Sequence, residues 1–304
     1  MPSAPAGPAV SSATAATATV PMVTAVVPTR NRRELTLRFL ARMAAQTHPA
    51  LRLVVVDANS SDGTVAAIRR QHPQVTVLEA GDREFWAGAT NRGVRQALAA
   101  GTDYVLTIND DAIVAADYVA RMVALARCHG CAILGSRIDL LAEPGRIWAL
   151  GTRTEWGTER FLRLAHHDQL ESELEPAVAG AEVLEAEAMP GNGVLIRADV
   201  FRRVGLYDAF WLPHYHADSE WVMRAVRRGL TARVTPRVVL FNDFHDDQKR
   251  LPLDSAGGLL FTFLHPKSHL YLPAVAAILW RHCPPRRRWS TLQALGRRFL
   301  RMKR

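Results

Sequence analysis

Between residues 23 and 129 the chain alternates short β-branched apolar runs with segments of helical spacing, and this restricts the architecture more than any other feature. Runs at 23–28 (V-T-A-V-V-P), 51–57 (L-R-L-V-V-V-D), 75–79 and 104–108 read as strands, and 33–46, 64–71, 91–100 and 115–129 as helices. Strict succession of this kind predicts an α/β fold, a largely parallel sheet covered by helices on both faces, because parallel neighbours need a crossover between them. Ligands of open α/β sheets collect beyond the carboxyl ends of the strands. Asn109, Asp110 and Asp111, closing the run Y-V-L-T-I-N-D-D, are therefore placed at a crevice with Asp57, which ends the second strand. Paired carboxylates there suit a metal ion. A solvated turn capping the next helix accounts for them equally well, and Asp57 alone reads more simply as a helix cap.

Beyond a fifth strand at 132–138 the regularity ends. Segment 146–157, with Trp148 and Trp156, and the acidic segment 170–187 predict an insertion and a mixed edge to the sheet. Gly191, Asn192 and Gly193 lead into a short strand at 194–197, and glycines there allow a ligand close to the backbone. A helix at 199–204 ends at Gly205. The run W-L-P-H-Y-H-A-D (211–218) opens a further helix through Arg228, capped by Gly229, and 238–241 is the last strand, leading into N-D-F-H-D-D at 242–247.

Several function classes are excluded. The chain has neither a G-x-x-x-x-G-K-[ST] loop nor a dinucleotide glycine fingerprint. Its net charge of +9 is concentrated in residues 281–304, which hold nine Lys or Arg and no acid, so the body is neutral. A nucleic-acid-binding domain would instead spread basic charge over a folded face. Three cysteines cannot build a disulfide framework, and the pair Cys128 and Cys131 lacks the partners a structural zinc needs. No stretch is apolar enough to span a bilayer, and residues 1–22, rich in Ala, Pro, Ser and Thr, read as a disordered leader rather than a signal peptide.

Taken in order, the runs V-V-P-T-R-N-R (26–32), V-D-A-N-S-S-D-G-T (56–64), N-D-D (109–111), G-N-G (191–193) and H-A-D-S-E-W (216–221) with Arg224 resemble the family 2 glycosyltransferases of the GT-A fold. W-A-G-A-T-N-R-G (86–93) is similar to the W-x-G-x-x-N-x-G stretch of their rhamnosyltransferase-like branch. The resemblance covers residues 23–245 and implies a GT-A domain at 23–250 with a helical basic tail at 251–304. It implies transfer of a sugar from a nucleoside-diphosphate donor to a hydroxyl of a glycan or lipid-linked glycan, inverting and dependent on Mg2+ or Mn2+. Asp111 matches the family's metal-binding carboxylate, with His245 as the further ligand, and Asp218 matches its general base. Pro28, Thr29, Arg30, Asp57, Trp86, Gly88, Asn91, Asn109 and Asp110 fall on the nucleotide-sugar site, and Gly191, Asn192, Gly193 and His216 on the sugar and acceptor pocket. Two positions depart from the pattern. Asn109 replaces the first carboxylate of the usual D-x-D, and Ala217 replaces the first acid of the usual E-D pair. The donor implied first is dTDP-rhamnose, then UDP-galactofuranose or another UDP-hexose.

Two rival readings remain at this level. His214, His216 and Asp218, with His245 and Asp247, have the residue types of a catalytic zinc site. A GT-A-like scaffold that binds nucleotide sugar without turnover would also keep the fold. In the tail, the apolar runs at 259–264 and 271–280 followed by arginines suit a segment that rests on an anionic membrane. That would place the protein in the cytoplasm at the inner face of the cell membrane. A helix pair packed on the domain is the alternative.

Overall fold

The computed structural model describes residues 19–243 and 255–302. Its first half runs β1 (Val23–Thr29), α1 (Arg33–Ala44), β2 (Leu51–Asp57), α2 (Thr64–Gln71), β3 (Thr76–Glu79), α3 (Trp86–Ala99), β4 (Tyr104–Thr107), β5 (Ile113–Val114), α4 (Tyr118–Cys128) and β6 (Ile133–Leu140). There follow β7 (Ile147–Ala149), β8 (Thr152–Thr154), β9 (Leu162–Leu164), α5 (Pro176–Gly180), β10 (Leu184–Glu185), β11 (Val194–Arg197), α6 (Ala198–Val204), α7 (Ala217–Arg227) and β12 (Ala232–Asn242). The tail forms α8 (Ala256–Leu264), α9 (Leu272–His282) and α10 (Pro285–Met302). Residues 1–18, which hold most of the expected leader, and 244–254 with His245 and Asp247 lie outside the described residues.

The main sheet has the order β10-β12-β6-β11-β4-β1-β2-β3. Strands β1 to β4 pair in parallel, and β12 is parallel to β6. Between the two groups β11 is antiparallel to both β4 and β6, so it runs against the six strands on either side of it, as the short β5, β7 and β10 also do. That reversal brings the loop before β11 to the same rim as the carboxyl ends of β1, β2 and β4. The expected parallel α/β sheet is present, and its mixed pairing reaches the middle of the sheet as well as the edge.

Strand β1 shows why short β-branched runs build the centre. Val26 joins one apolar layer with Ala87 and Val94 of α3, Trp221 of α7 and Ile278 of α9, while its neighbours Ala25 and Val27 join the other with Phe39 and Leu40 of α1 and Tyr118 and Met122 of α4. Helix α3 crosses β1 closely. A Cβ built on Gly93 would lie 2.3 Å from Val26 Cγ1 and 3.1 Å from Val56 Cγ2.

Three boundaries differ from the sequence reading. Helix α3 begins at Trp86 rather than residue 91, because its first turn is held by tertiary contacts, among them a bond from the Ala87 N–H to the Pro213 carbonyl (3.0 Å), and not by a side-chain cap. Strand β12 begins at Ala232 rather than 238; Pro236 lies in a register shift between Thr235 and Val239, so the pairing with β6 survives on either side. Helix α4 begins at Tyr118 rather than 115, just after the two-residue β5, which pairs with β12.

The tail packs on this body. Ala274, Val275, Ile278 and Leu279 of α9 enter the apolar layer beneath α7, and Phe263 of α8 meets Phe299 of α10 edge to face at 5.0 Å. Helix α10 is tied to the loop between β8 and β9, where Thr291 Oγ1 accepts from the Gly157 N–H (2.8 Å) and Arg301 pairs with Glu159.

Gly93→Ala is expected to cost about 1–3 kcal/mol by overpacking α3 on β1. Urea unfolding measures it, and an unchanged midpoint would show that α3 can lift from Val26 without loss.

Candidate active site

The crevice is assembled at the rim just described. Behind it, Asp110 is 2% exposed and serves as an internal tie. Its Oδ2 accepts from Thr29 Oγ1 (2.7 Å) and Thr36 Oγ1 (3.0 Å), and its Oδ1 from Arg32 Nη1 (2.8 Å). Burial raises its carboxyl above the ordinary value, while Arg32 and the two hydroxyls pull the other way. Thr29 and Asp110, both assigned to the donor by sequence, therefore hold β1, α1 and the end of β4 to one another.

Asp111 differs. Arg32 Nη2 donates to its Oδ2 (2.8 Å), but its Oδ1 is buried with no hydrogen-bond partner. An unsatisfied carboxylate oxygen is costly unless something fills its lone pairs, and a hard oxygen is what Mg2+ or Mn2+ prefers. The site fits such an ion at Asp111. Asn109 is not equivalent to a second acid, because its Oδ1 accepts from Trp86 Nε1 (3.1 Å) and its backbone N–H donates to Asn192 Oδ1 (2.9 Å). The departure from D-x-D is thus matched by a tryptophan that needs an acceptor there.

Trp86 also covers Gly191, where a Cβ would sit 2.6 Å from Trp86 Cη2 and 2.9 Å from Asp218 Cβ. Only glycine lets these three groups meet. The Gly191 N–H donates to Asp218 Oδ2 (2.6 Å), and the Ser219 N–H donates to Asp218 Oδ1 (2.7 Å). Each carboxylate oxygen keeps a second lone pair. Asp218 stands in the first turn of α7, two residues after His216, which holds a left-handed backbone at φ 67°. Burial raises the Asp218 carboxyl above its ordinary value, opposed by the two backbone N–H groups and by His216. Burial also lowers His216, whose Nε2 faces the His269 carbonyl at 3.1 Å. A carbonyl only accepts, so Nε2 carries the proton and Nδ1 of the neutral ring is left as an acceptor.

Asp57 ends β2 with Oδ1 accepting the Ser60 N–H (2.8 Å) inside the turn that follows, not as a cap of α2, which starts at Thr64, and with Oδ2 buried and without a hydrogen-bond partner. Arg30 pairs with Asp82 (2.8 Å), which also accepts from Asn59 (3.0 Å), so this exposed acid, overlooked in the sequence, joins the loops after β1 and β2. Pro28 lies in β1 next to Thr29, and Gly88 lies in the first turn of α3 beside Glu84. Asn91 is buried, and both ends of its amide bind the Tyr207 backbone (2.8 and 2.9 Å). It holds Tyr207 edge-on to Trp86, with ring centres 5.3 Å apart. Gly193, at φ 79°, would place a Cβ 2.5 Å from Ser136 Oγ and 2.7 Å from Tyr118 OH.

Two further sequence readings resolve. Glu220 and Arg224 form the expected pair (3.2 Å), and Arg224 also binds the carbonyls of Val204 and Leu206. Among the described residues His214, His216 and Asp218 do not converge into a metal-holding group; Cys128, His129 and Glu182 do so, with His129 partly buried and the other two exposed.

The unequal roles of the adjacent acids are testable. Asp110→Asn should destabilise the fold by about 1–3 kcal/mol, since Arg32 and two hydroxyls lose a charged acceptor in a buried place. Asp111→Asn should leave thermal unfolding close to wild type. Equal losses would mean that both acids are structural.

Residues 24–176, just over half of the 304, match the sequence model described as Glycosyl transferase family 2. A galactofuranosyltransferase, GlfT1, of Mycolicibacterium smegmatis (strain ATCC 700084 / mc(2)155) is 29% identical over 192 residues, covering 62% of this chain and 60% of that relative. The chain thus spans under two thirds of this relative's length. Two solved structures share the fold. One is GalNAc-T7 with UDP, GalNAc and Mn2+, at TM-score 0.59 and 18% identity over 74% of this chain and 44% of that one. The other is S. aureus TarS 1–349, at TM-score 0.51 and 14% identity over 92% of this chain and 83% of that one. The mostly parallel sheet, with β11 reversed in its middle, is accordingly the GT-A arrangement, and the chain belongs to glycosyl transferase family 2.

Proposed function

We propose that this protein is an inverting glycosyltransferase that moves a sugar from a nucleoside diphosphate to a hydroxyl of a glycan or lipid-linked glycan, with Asp218 as base. The observation carrying this reading is the pairing at one rim of Asp218, gripped by two backbone N–H groups beneath Trp86, with the unsatisfied Oδ1 of Asp111. In the step itself the acceptor oxygen bonds to the sugar's anomeric carbon, its proton passes to Asp218, and the bond to the diphosphate breaks, so the nucleoside diphosphate leaves with the electron pair. A carboxyl raised by burial is a stronger base than a free one, and its fixed orientation removes the cost of finding the proton. Asp111 would hold a bound Mg2+ or Mn2+, which supplies charge neutralisation for the departing diphosphate. The second oxygen of Asp57 is available to donors of the nucleotide.

For the donor, the name of the M. smegmatis relative favours galactofuranose over the rhamnose suggested by the Trp86 stretch. UDP-galactofuranose is therefore the first donor to assay and dTDP-rhamnose the second, each by release of its nucleoside diphosphate. A cytoplasmic position against the membrane that carries a lipid-linked acceptor belongs to the same reading. Among the described residues no helix is long and apolar enough to cross a membrane.

Asp111→Asn should abolish the thermal stabilisation that Mn2+ with UDP gives the wild type. If that variant kept a wild-type Mn2+-dependent shift, the ion would lie elsewhere.

Asp218→Asn should keep donor affinity while turnover falls by about 10² to 10⁴, the usual worth of a positioned base. In the wild type, activity needs the ionised carboxylate and is lost as pH falls through its pKa. Because burial raises that value, the acid limb of the rate profile should lie above the ordinary carboxylate value of about 3.9. Normal turnover in the variant would remove Asp218 from the mechanism.

A further inference from the structure

Helix α10 packs one face on the protein and shows an amphipathic pattern on the other. Thr291 and Ala294 point inward, and Arg298 donates to the Glu159 carbonyl. Outward, Trp289 (70% exposed), Leu292 (49%) and Leu300 (62%) fall with Gly296 on a single stripe, at successive spacings of three, four and four residues. Arg286, Arg297 and Arg301 run along one side of the stripe, and on the other Arg288 lies 4.8 Å over the Trp280 ring, itself 74% exposed. The helix contains no acid.

Nothing in folding requires this outward stripe, since the inward face already anchors the helix, and exposing two tryptophans and two leucines to water is unfavourable. Apolar side chains in a line, flanked by Arg286, Arg297 and Arg288, which have no acidic partner among the described residues, match an interface with apolar depth and anionic headgroups; only Arg301 is paired, with Glu159. The surface also leads toward the crevice. Phe299 of α10 meets Phe263 of α8; from another face of the same helix Phe261 stacks on His265 at 4.4 Å, and His265 in turn meets Phe85, the residue before Trp86. Leu260 and Leu264 of α8 are exposed along the way.

We infer that the outward face of α10, continued by Trp280 and the exposed leucines of α8, is a docking surface for an anionic lipid bilayer. It seats the crevice mouth beside the membrane. The location rests on the reading of a lipid-linked acceptor above, but the binding itself does not.

The test is co-sedimentation of the full chain with vesicles of phosphatidylcholine alone and of phosphatidylcholine mixed equally with phosphatidylglycerol, across a salt series. Trp289→Ser, Leu292→Ser and Leu300→Ser combined should weaken binding to mixed vesicles about tenfold or more at every salt concentration. Arg286→Gln with Arg297→Gln should weaken it about fivefold per arginine at low salt and flatten the salt dependence, since headgroup attraction is screened over about 8 Å at physiological ionic strength. Circular dichroism should show both variants folded. Release of nucleoside diphosphate with a soluble acceptor should stay at the wild-type level, which separates loss of docking from failure of the enzymatic reading. Equal sedimentation of wild type and the triple variant would overturn the inference. So would tight binding to pure phosphatidylcholine that ignores salt, or a wild-type dimer that the triple variant disperses, which would make the stripe a contact between copies.

Discussion

The site exists because one strand runs backwards. With β11 antiparallel between β4 and β6, the residues that enter it arrive at the rim where β1, β2 and β4 end. A parallel strand there would deliver the same residues to the opposite edge, more than a strand's length from Asp111. The turn that permits the reversal is narrow. Gly193 must hold a positive φ in a space already filled by Ser136 and Tyr118, whose hydroxyls bond to each other at 2.8 Å. Gly191 must leave room for Trp86 while giving its N–H to Asp218. The two glycines therefore act on different atoms: one fixes the direction of the chain, and the other fixes the carboxylate.

Around this turn the charges are arranged in two tiers. Arg32 spans both carboxylates at the end of β4, but the hydroxyls of Thr29 and Thr36 go only to Asp110. Two adjacent acids would otherwise repel each other in a partly buried place. Saturating one and leaving an oxygen of the other unsatisfied concentrates the local need for positive charge on Asp111. The tryptophan at the start of α3 makes a similar division on the neutral side, using the oxygen of Asn109 so that this residue positions the loop rather than adding charge.

Much of this was legible in the sequence and some was not, for identifiable reasons. Strands β1, β2 and β4 stood out because strands buried on both faces are written as unbroken apolar runs. The start of α3 did not, since Trp86 and Gly88 are indifferent helix formers and the first turn is held by Pro213, more than a hundred residues away. Strand β12 was half hidden by a proline at its bulge. By resemblance the ordered motifs put Asp110 on the donor and Asp111 on a metal, but no linear pattern shows that Thr29 and Thr36 reach across to Asp110. Asn91 was misleading in the same way. It belongs to a motif that faces the site, yet its amide is spent on the Tyr207 backbone behind Trp86. The apolar run at 271–280 serves two purposes that no linear pattern separates, with Ala274, Val275, Ile278 and Leu279 in the core and Leu272 and Trp280 in solvent.

Asp218 and the tail are joined through a single turn of α7. Residues two apart on a helix face different ways, so Asp218 can look into the crevice while Glu220 is fully buried on the far side. Burial works against the Glu220 charge, but His282 (3.2 Å), Arg224 (3.2 Å) and Arg281 (3.5 Å) surround it, and its carboxyl is held below the ordinary value. His282 and Arg281 are the last residues of α9, and Arg281 also binds Asp208 (2.6 Å) in the loop that follows Tyr207. A buried carboxylate with these partners cannot give one up cheaply, because the charge left behind would have neither water nor a counter-ion. The end of α9 is thereby fixed to the helix that carries Asp218 and to the loop beneath Trp86. Only Cys283 and Pro284 separate that anchor from α10, so the basic helix begins at a set distance from the crevice. Whatever α10 rests on meets the rim of the crevice in a defined orientation.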